Sequence, residues 1–382
     1  MVYLDHASAA PWHPAALQTY VTVAESVAAD PMRNHGPGRR ARDLLESART
    51  AIAAAFGGDP ERLVMTSGGT EAVHLAVQGA VAANRTRPAR ILSSAVEHSA
   101  VLWAADHAGV EHVRIPVDRH GVVDLDALAD QLRRGAALVS CIHASHEVGT
   151  VQPLEAVARL CRDHDALLHV DAAQTAGRMA VTLASTGADY VSVSGAKFGG
   201  GRGIGAVVLS PRARLRPLLG GDERERRRRA GLEHLPGVAA MAEALLQLAP
   251  SDPQGQAARD AAAAHHLRRR LRAALPQVAD DVEVHGAPDA AAPHIAAVSA
   301  LYCDGQALVS ALDDAGFAVH SGSSCATTSG EPSHVLVAMG ALTHGHVRVS
   351  VGPEVTEEDV DAFVEAFGQA VGRLRAASLG GR

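Results

Sequence analysis

Between residues 62 and 209 the chain alternates short β-prone runs with helical stretches, and this alternation limits the available folds more than any other feature. Strands are read at Arg62–Thr66, Arg90–Ser94, His112–Pro116, Ala137–Ile142, Leu167–Val170, Tyr190–Val193 and Ile204–Leu209. Helices are read between them at Glu71–Ala83, Ala100–Ala108, Asp124–Arg134 and Leu154–Asp165. Strand, helix, strand in repetition predicts an α/β protein whose large domain has a mostly parallel sheet covered on both faces. Ligands of such sheets collect beyond the carboxyl ends of the strands. The polar residues at those ends are Thr70, His98, His146, Asp171, Gln174, Ser194 and Lys197, which are therefore expected to converge.

The flanks read differently. Helical patterning covers Ala15–Ala29 and Gly38–Phe56 before the alternation begins. After it come a helix from Pro236 to about Leu248, a Pro/Ser break at Pro250–Pro253 and a helix at Gln256–Leu275. The remainder mixes strands (Val282–His285, Ile295–Leu301, Phe317–His320, Val347–Val351) with helices (Gln306–Ala315, Ser333–Met339, Glu357–Ala376). The expected division is a large domain over 14–252 and a smaller α+β domain over 253–382, completed by the N-terminal segment 1–13.

Composition excludes several classes. Hydrophobic residues make up 47% and charged residues 20% of 382, as in a soluble globular protein. A net charge of −7 gives no support for direct nucleic-acid binding. The local exception is the basic run Arg224 and Arg226–Arg229, which reads as a solvated loop or, alternatively, a partner or phosphate site. Four cysteines with no Cys-x-x-Cys pair suit a reducing cytoplasm and argue against structural zinc, and the 21 histidines show no metal-ligand spacing. The start MVYLDHASAAP lacks the pattern of a signal peptide, and apolar runs break before the ~20 residues of a membrane span.

Three stretches carry chemistry. Ala188–Gly205 delivers Lys197 into a glycine-rich run whose backbone must turn sharply and lie close to something. A lysine desolvated there, or placed near positive charge, becomes a nucleophilic amine; a surface lysine in a loop is the alternative. Ser67–Thr70 is a tight turn before a helix, where free N–H groups hold an anion, although such turns are also purely structural. Cys325 sits in the polar loop 321–332 rather than in an apolar element, which favours a reactive thiol over a core cysteine. Lysine, aspartate and histidine on one rim are what pyridoxal 5'-phosphate requires. The lysine holds the aldehyde, Asp171 keeps the pyridine nitrogen protonated, His98 stacks on the ring, and Thr70 and Ser194 bond the phosphate.

The stretches HVDAAQTAG (His169–Gly177), SVSGAKFGGGRGIG (Ser192–Gly205), TSGGTEAVHLAV (Thr66–Val77), AVEHSAVL (Ala95–Leu102), HEVGTVQP (His146–Pro153), SGSSCATTSGEPSHVL (Ser321–Leu336) and VRVSVG (Val347–Gly352) together resemble the cysteine desulfurases. These belong to the class V aminotransferase-like group of fold-type I pyridoxal phosphate enzymes. The resemblance runs from Tyr3 to the final helix, and the SGSSC motif resembles group I of the family. It implies conversion of L-cysteine to L-alanine with sulfur left as a persulfide on Cys325. It also implies that Lys197 anchors the cofactor and moves the substrate proton, that His98 assists, and that Gln174 and His146 meet the phenolic oxygen. Gly69 would join Thr70 and Ser194 at the phosphate, Arg348 would hold the substrate carboxylate by a bidentate contact, and Asp30 would stand beside it.

Four positions depart from the family pattern: His146 and Asp30 replace asparagines, Ala196 replaces a histidine and Leu232 a threonine, the last two being phosphate ligands. The resemblance further implies a cytoplasmic homodimer, without membrane attachment, that passes sulfur to a separate acceptor protein or small molecule. A selenocysteine lyase or other carbon–sulfur lyase, and a low-activity scaffold binding a sulfur carrier, are the alternatives.

Overall fold

The computed structural model describes residues 1–248, 255–321 and 332–380. Its centre is a seven-stranded sheet in the spatial order Leu63–Thr66, Gly205–Leu209, Tyr190–Ser194, Leu167–Asp171, Leu138–Ile142, Arg90–Ser94, Glu111–Ile115. Six of the seven strands point the same way, and Gly205–Leu209 runs antiparallel to both its neighbours. The inner strands Leu138–Ile142, Leu167–Asp171 and Tyr190–Ser194 are buried throughout, as befits a sheet covered on both faces. The edge strand Glu111–Ile115 is buried only at Ile115.

The two faces have separate cores. Helix Gly69–Ala83 sends Val73, Ala76, Val77 and Ala80 onto one face, spacing that makes a single helical stripe. On the other face, helices Gly36–Ala55, Leu154–Asp163 and Leu235–Gln247 cover Leu168, Val170, Val191 and Val193. A third core lies apart, around an antiparallel sheet ordered His346–Ser350, Ile295–Ala300, Val282–His285 and packed by Leu267, Leu271, Phe363 and Phe367.

The N-terminal segment ties these bodies together. Val2–Tyr3 pairs with Phe317–Ala318, so the expected strand Phe317–His320 is regular only where that partner exists. Leu4 is buried in the third core, and its carbonyl accepts from the Ser350 N–H at 2.7 Å. The chain then crosses to the large sheet, where Ala10 N–H donates to Ala196 O at 2.8 Å and His13 N–H to Gly199 O at 3.0 Å. The glycine-rich run is what this segment lies against: a Cβ on Gly199 would come within 2.7 Å of His13 N, and one on Gly201 within 2.5 Å of the Trp12 ring. Both glycines have positive φ, 78° and 105°.

Most of the basic run is paired with acids, while Arg227 stays exposed. Arg224 pairs with Asp30 at 2.8 Å, Arg226 with Glu46 at 2.9 Å and with Glu61 at 2.5 Å, and Arg229 with Glu71 at 3.0 Å. Glu225 turns inward to Arg49 at 2.6 Å, both side chains being about fully buried at 2% and 1% exposure. Glu225, Arg226 and Arg227 all take positive φ, 48°, 54° and 63°, a left-handed turn costing roughly 1–2 kcal/mol per residue. Acidic partners on three other elements hold that turn in place; they lie far away in sequence, so local charge counting overstates its exposure.

Candidate active site

A cavity of about 390 Å³ opens at the carboxyl ends of the parallel strands. Gly69, Thr70, His98, His146, Asp171, Gln174, Ser194, Lys197 and Arg348 all line it. A larger cavity, about 440 Å³, lies among Trp12, Phe198, Arg178 and Leu248; Lys197 does not line it, although its carbonyl oxygen accepts from Arg178 at 3.1 Å.

Lys197 ends the short turn Gly195–Lys197 that follows strand Tyr190–Ser194, so its stem is fixed by a buried strand. Its Nζ donates to the carbonyls of Ala7 and Ser8, at 2.9 and 2.7 Å. Burial, and then the positive charge of Arg348, push its pKa down to about 8, with Asp171 and Asp5 opposing. Asp171 is the last residue of its strand, and its Oδ1 accepts from the Ala173 N–H at 3.0 Å. Burial pushes its pKa up to about 6, against that hydrogen bond and the nearby Lys197.

Two histidines form one wall, ring centroids 4.9 Å apart and crossing at 66°. His98 caps helix Ser99–Asp106, its Nδ1 accepting from Ala100 N–H at 3.1 Å, which fixes the ring. Burial first, then Lys197, lowers its pKa to about 4, and burial likewise holds His146 well below the usual range. Both imidazoles are neutral. Gln174 donates from Nε2 to Ala7 O at 2.8 Å. Arg348 donates to His146 O at 2.9 Å, to Asp5 at 2.8 Å and to Ser8 Oγ at 2.6 Å, while its buried Nε has no partner among the described residues.

Asp30 is not in this group. It lies before helix Gly36–Ala55, paired with Arg224 at 2.8 Å and Arg33 at 3.3 Å, and its pKa is lowered by the Met32 N–H and then by Arg224. Its carboxylate is neutralised there, away from the cavity lining. Cys325 and residues 322–331 lie outside the described residues. The chain entering that loop does reach the cavity: His320 lines it and exchanges backbone hydrogen bonds with Arg348. The chain leaving it is anchored by Ser333, which donates to the buried Glu147. Ala196 lines the cavity without a polar group, and Leu232 is 64% exposed.

Sequence reasoning missed His320, Asp5, Ala7 and Ser8. His320 looked like an ordinary strand end. The N-terminal residues act through two backbone carbonyls and a carboxylate on Arg348; the only sequence signal was a short polar and small-residue run after an apolar start.

The residues fit pyridoxal 5'-phosphate. Helix Gly69–Ala83 begins at Gly68 with no side-chain cap, leaving N–H donors for a phosphate. Gly69 lets that terminus close on the strand end, since a Cβ there would meet the Ser194 Cβ at 2.9 Å. The His146 Nδ1 is buried with no partner among the described residues, and an amine and a carboxylate face the same space.

Comparison with known proteins agrees. The aminotransferase class-V family matches residues 2–363. A cysteine desulfurase of Cereibacter sphaeroides is 36% identical over 99% of this chain and 97% of its own. The cysteine desulfurase IscS of Dictyoglomus turgidum is 32% identical over 99% and 96%. A solved NifS-like protein superposes with a TM-score of 0.88 at 28% identity, covering 97% of this chain and 99% of that one. An amine, a carboxylate and two neutral histidines gathered at the rim of such a sheet thus have a family: the chain belongs to the class-V aminotransferases and, within them, to the pyridoxal-phosphate-dependent cysteine desulfurases.

Proposed function

We propose that this protein takes sulfur from L-cysteine as a persulfide on Cys325, releases L-alanine and passes the sulfur to a separate acceptor. The observation that carries the reading is one cavity shared by Lys197, Asp171, His98 and Arg348 with His320, from which the chain runs on to Cys325. Bound pyridoxal phosphate supplies an electron sink that makes the substrate's α-proton removable and its carbon–sulfur bond breakable. Arg348 holds the substrate carboxylate, its Nη groups already oriented by Asp5 and the His146 carbonyl. Lys197 would anchor the cofactor and carry the α-proton, His98 would pack on the ring, Gln174 and His146 would meet its phenolic oxygen, and Asp171 its pyridine nitrogen. Gly69, Thr70 and Ser194 would receive the phosphate. The Cys325 thiolate attacks the substrate sulfur; the sulfur–sulfur bond forms as the carbon–sulfur bond breaks, and the carbon fragment takes a proton to become alanine.

The other cysteines do not compete. Cys141, Cys161 and Cys303 are buried and free, and burial raises all three thiols, Cys161 to about 12. Among the described residues no helix is long and apolar enough to cross a membrane. A reducing, cytoplasmic setting keeps the attacking thiol free. The exposed Leu218, Leu219 and Leu232 offer apolar surface to a second copy, in keeping with a homodimer.

Two measurements check the reading. After incubation with L-cysteine, mass spectrometry should find a one-sulfur adduct on Cys325, and Cys325→Ala should lose persulfide and alanine formation together. Alanine release that survives in that variant points to a simple carbon–sulfur lyase instead. Capture of pyridoxal phosphate by the apoprotein should quicken about tenfold per pH unit up to about 8 and then level off, because only the neutral Lys197 amine adds to an aldehyde. An ordinary lysine would keep gaining to about pH 10.4.

A further inference from the structure

Ser8 joins the amine and the guanidinium of the cavity. Its carbonyl accepts from Lys197 Nζ at 2.7 Å, and its Oγ accepts from Arg348 Nη2 at 2.6 Å. Ser8 and Arg348 both line the cavity. The backbone around the serine is pinned: Ser8 N–H donates to Asp5 O at 3.0 Å, Ala7 N–H to Ser350 Oγ at 2.9 Å and Ala10 N–H to Ala196 O at 2.8 Å. The hydroxyl is therefore held beside the guanidinium.

The donors of Arg348 decide what is left for a substrate. A guanidinium grips a carboxylate with one of two forks, Nη1 with Nη2 or Nε with Nη2, so either fork needs an N–H of Nη2. Nη2 has two N–H groups and meets two acceptors, Asp5 Oδ1 at 2.8 Å and Ser8 Oγ. Nη1 gives one N–H to His146 O. The N–H groups left over, one on Nη1 and one on Nε, diverge, and neither fork is free. A bidentate grip would first have to break a contact on Nη2. A second donor beside the guanidinium can serve the other carboxylate oxygen without breaking either contact.

Ser8 is such a donor. Arginine offers no lone pair, so Ser8 Oγ accepts in the contact with Arg348 and its own O–H points elsewhere. Among the described residues no acceptor takes that proton. Asp5 cannot play the part, because an ionised carboxylate only accepts. A hydroxyl accepts from the cation and donates to an anion at the same time.

We infer that Ser8 is a substrate-binding residue: its hydroxyl, held by Arg348, donates to the substrate's α-carboxylate and stands in for the occupied guanidinium fork. This deepens the proposed function and rests on it for the placing of that carboxylate at Arg348. It makes the cavity selective for free α-amino acids over amines that lack the carboxylate.

L-Alanine and ethylamine, which differ by the carboxylate, test this in titrations that follow the visible absorption of the cofactor-loaded protein. Ser8→Ala should weaken L-alanine about tenfold, the worth of one hydrogen bond to a charged group, and leave ethylamine unchanged. Ser8→Thr, which keeps the hydroxyl, should recover most of the loss. In an Arg348→Lys background Ser8→Ala should weaken L-alanine by the same factor again, because the contact is direct. Unaltered or tighter L-alanine binding in Ser8→Ala, as when the hydroxyl merely blocks a fork, overturns the inference. So does an equal loss for both ligands, which makes Ser8 a brace for Lys197, and so does a loss that vanishes beside Arg348→Lys, which makes it a prop for the guanidinium. L-Alanine carries no sulfur, so none of these outcomes depends on Cys325. With L-cysteine, Ser8→Ala should raise KM in the same proportion at unchanged kcat. A wild-type protein that shows the L-alanine pattern without desulfuration overturns the proposed reaction and leaves the Ser8 contact standing.

Discussion

Lys197→Ala is expected to lose on the order of 10³-fold or more in desulfuration, with substrate binding at Arg348 retained. General acid–base transfer alone contributes roughly 10²–10⁴-fold, and here the same amine also anchors the cofactor. No neighbour can replace it. His98 and His146 are neutral, ring-shaped and fixed, and the Arg348 guanidinium is occupied by Asp5, Ser8 and the His146 carbonyl. The variant should also fail to form a borohydride-reducible link to pyridoxal phosphate, which mass spectrometry reads directly. Substantial turnover with that link absent would remove Lys197 from the chemistry.

The second large effect is on stability. Glu225→Ala or Arg49→Met should each cost about 3–5 kcal/mol, because removing one partner of a buried pair leaves the other charge without compensation. The pair also serves the edge strand Leu63–Thr66: Arg49 donates to Leu63 O at 2.9 Å, and Glu225 accepts from Met65 N–H at 2.7 Å. Two side chains thus stand where a further strand would pair, which keeps that edge from recruiting another chain. For this reason the double variant Arg49→Met/Glu225→Leu should recover only part of the loss, even though buried pairs can often be exchanged for apolar residues without penalty. Losing either anchor also frees the strained left-handed turn at Glu225–Arg227. Urea unfolding monitored by far-UV circular dichroism measures the change, and a shift within about 0.5 kcal/mol for the single variants would place the pair among ordinary surface contacts.

Much of this was legible in the chain itself, for reasons that differ between parts. The sheet could be read because its inner strands are short, largely apolar runs set between helical stretches, and polar residues at or just past strand ends, Asp171 and Ser194 among them, form the rim. Lys197, Asp171 and His98 were therefore placed together by the periodicity, before any resemblance was considered. The glycine run announced a close approach without saying of what; the answer, Pro11–His13, lies far away in sequence. Ala7 and Ser8 escaped because the carbonyls that receive Lys197 carry no residue signature, and Asp5 because its partner Arg348 lies at the far side of the sequence. The basic run misled because its compensating acids, Asp30, Glu46, Glu61 and Glu71, come from distant elements. Asp30 was expected near the substrate, and its pairing with Arg224 could not be inferred from either residue alone.

The threading of the first eight residues between the glycine run and strand His346–Ser350 bears on biogenesis. Arg348 meets Asp5 across 343 positions, so the two sides of the pocket leave the ribosome well separated in time. The Lys197 half of the cradle can fold while the polypeptide is still growing; the guanidinium that completes it arrives later. Coenzyme gripped by the whole constellation therefore marks a chain already made at least as far as strand His346–Ser350.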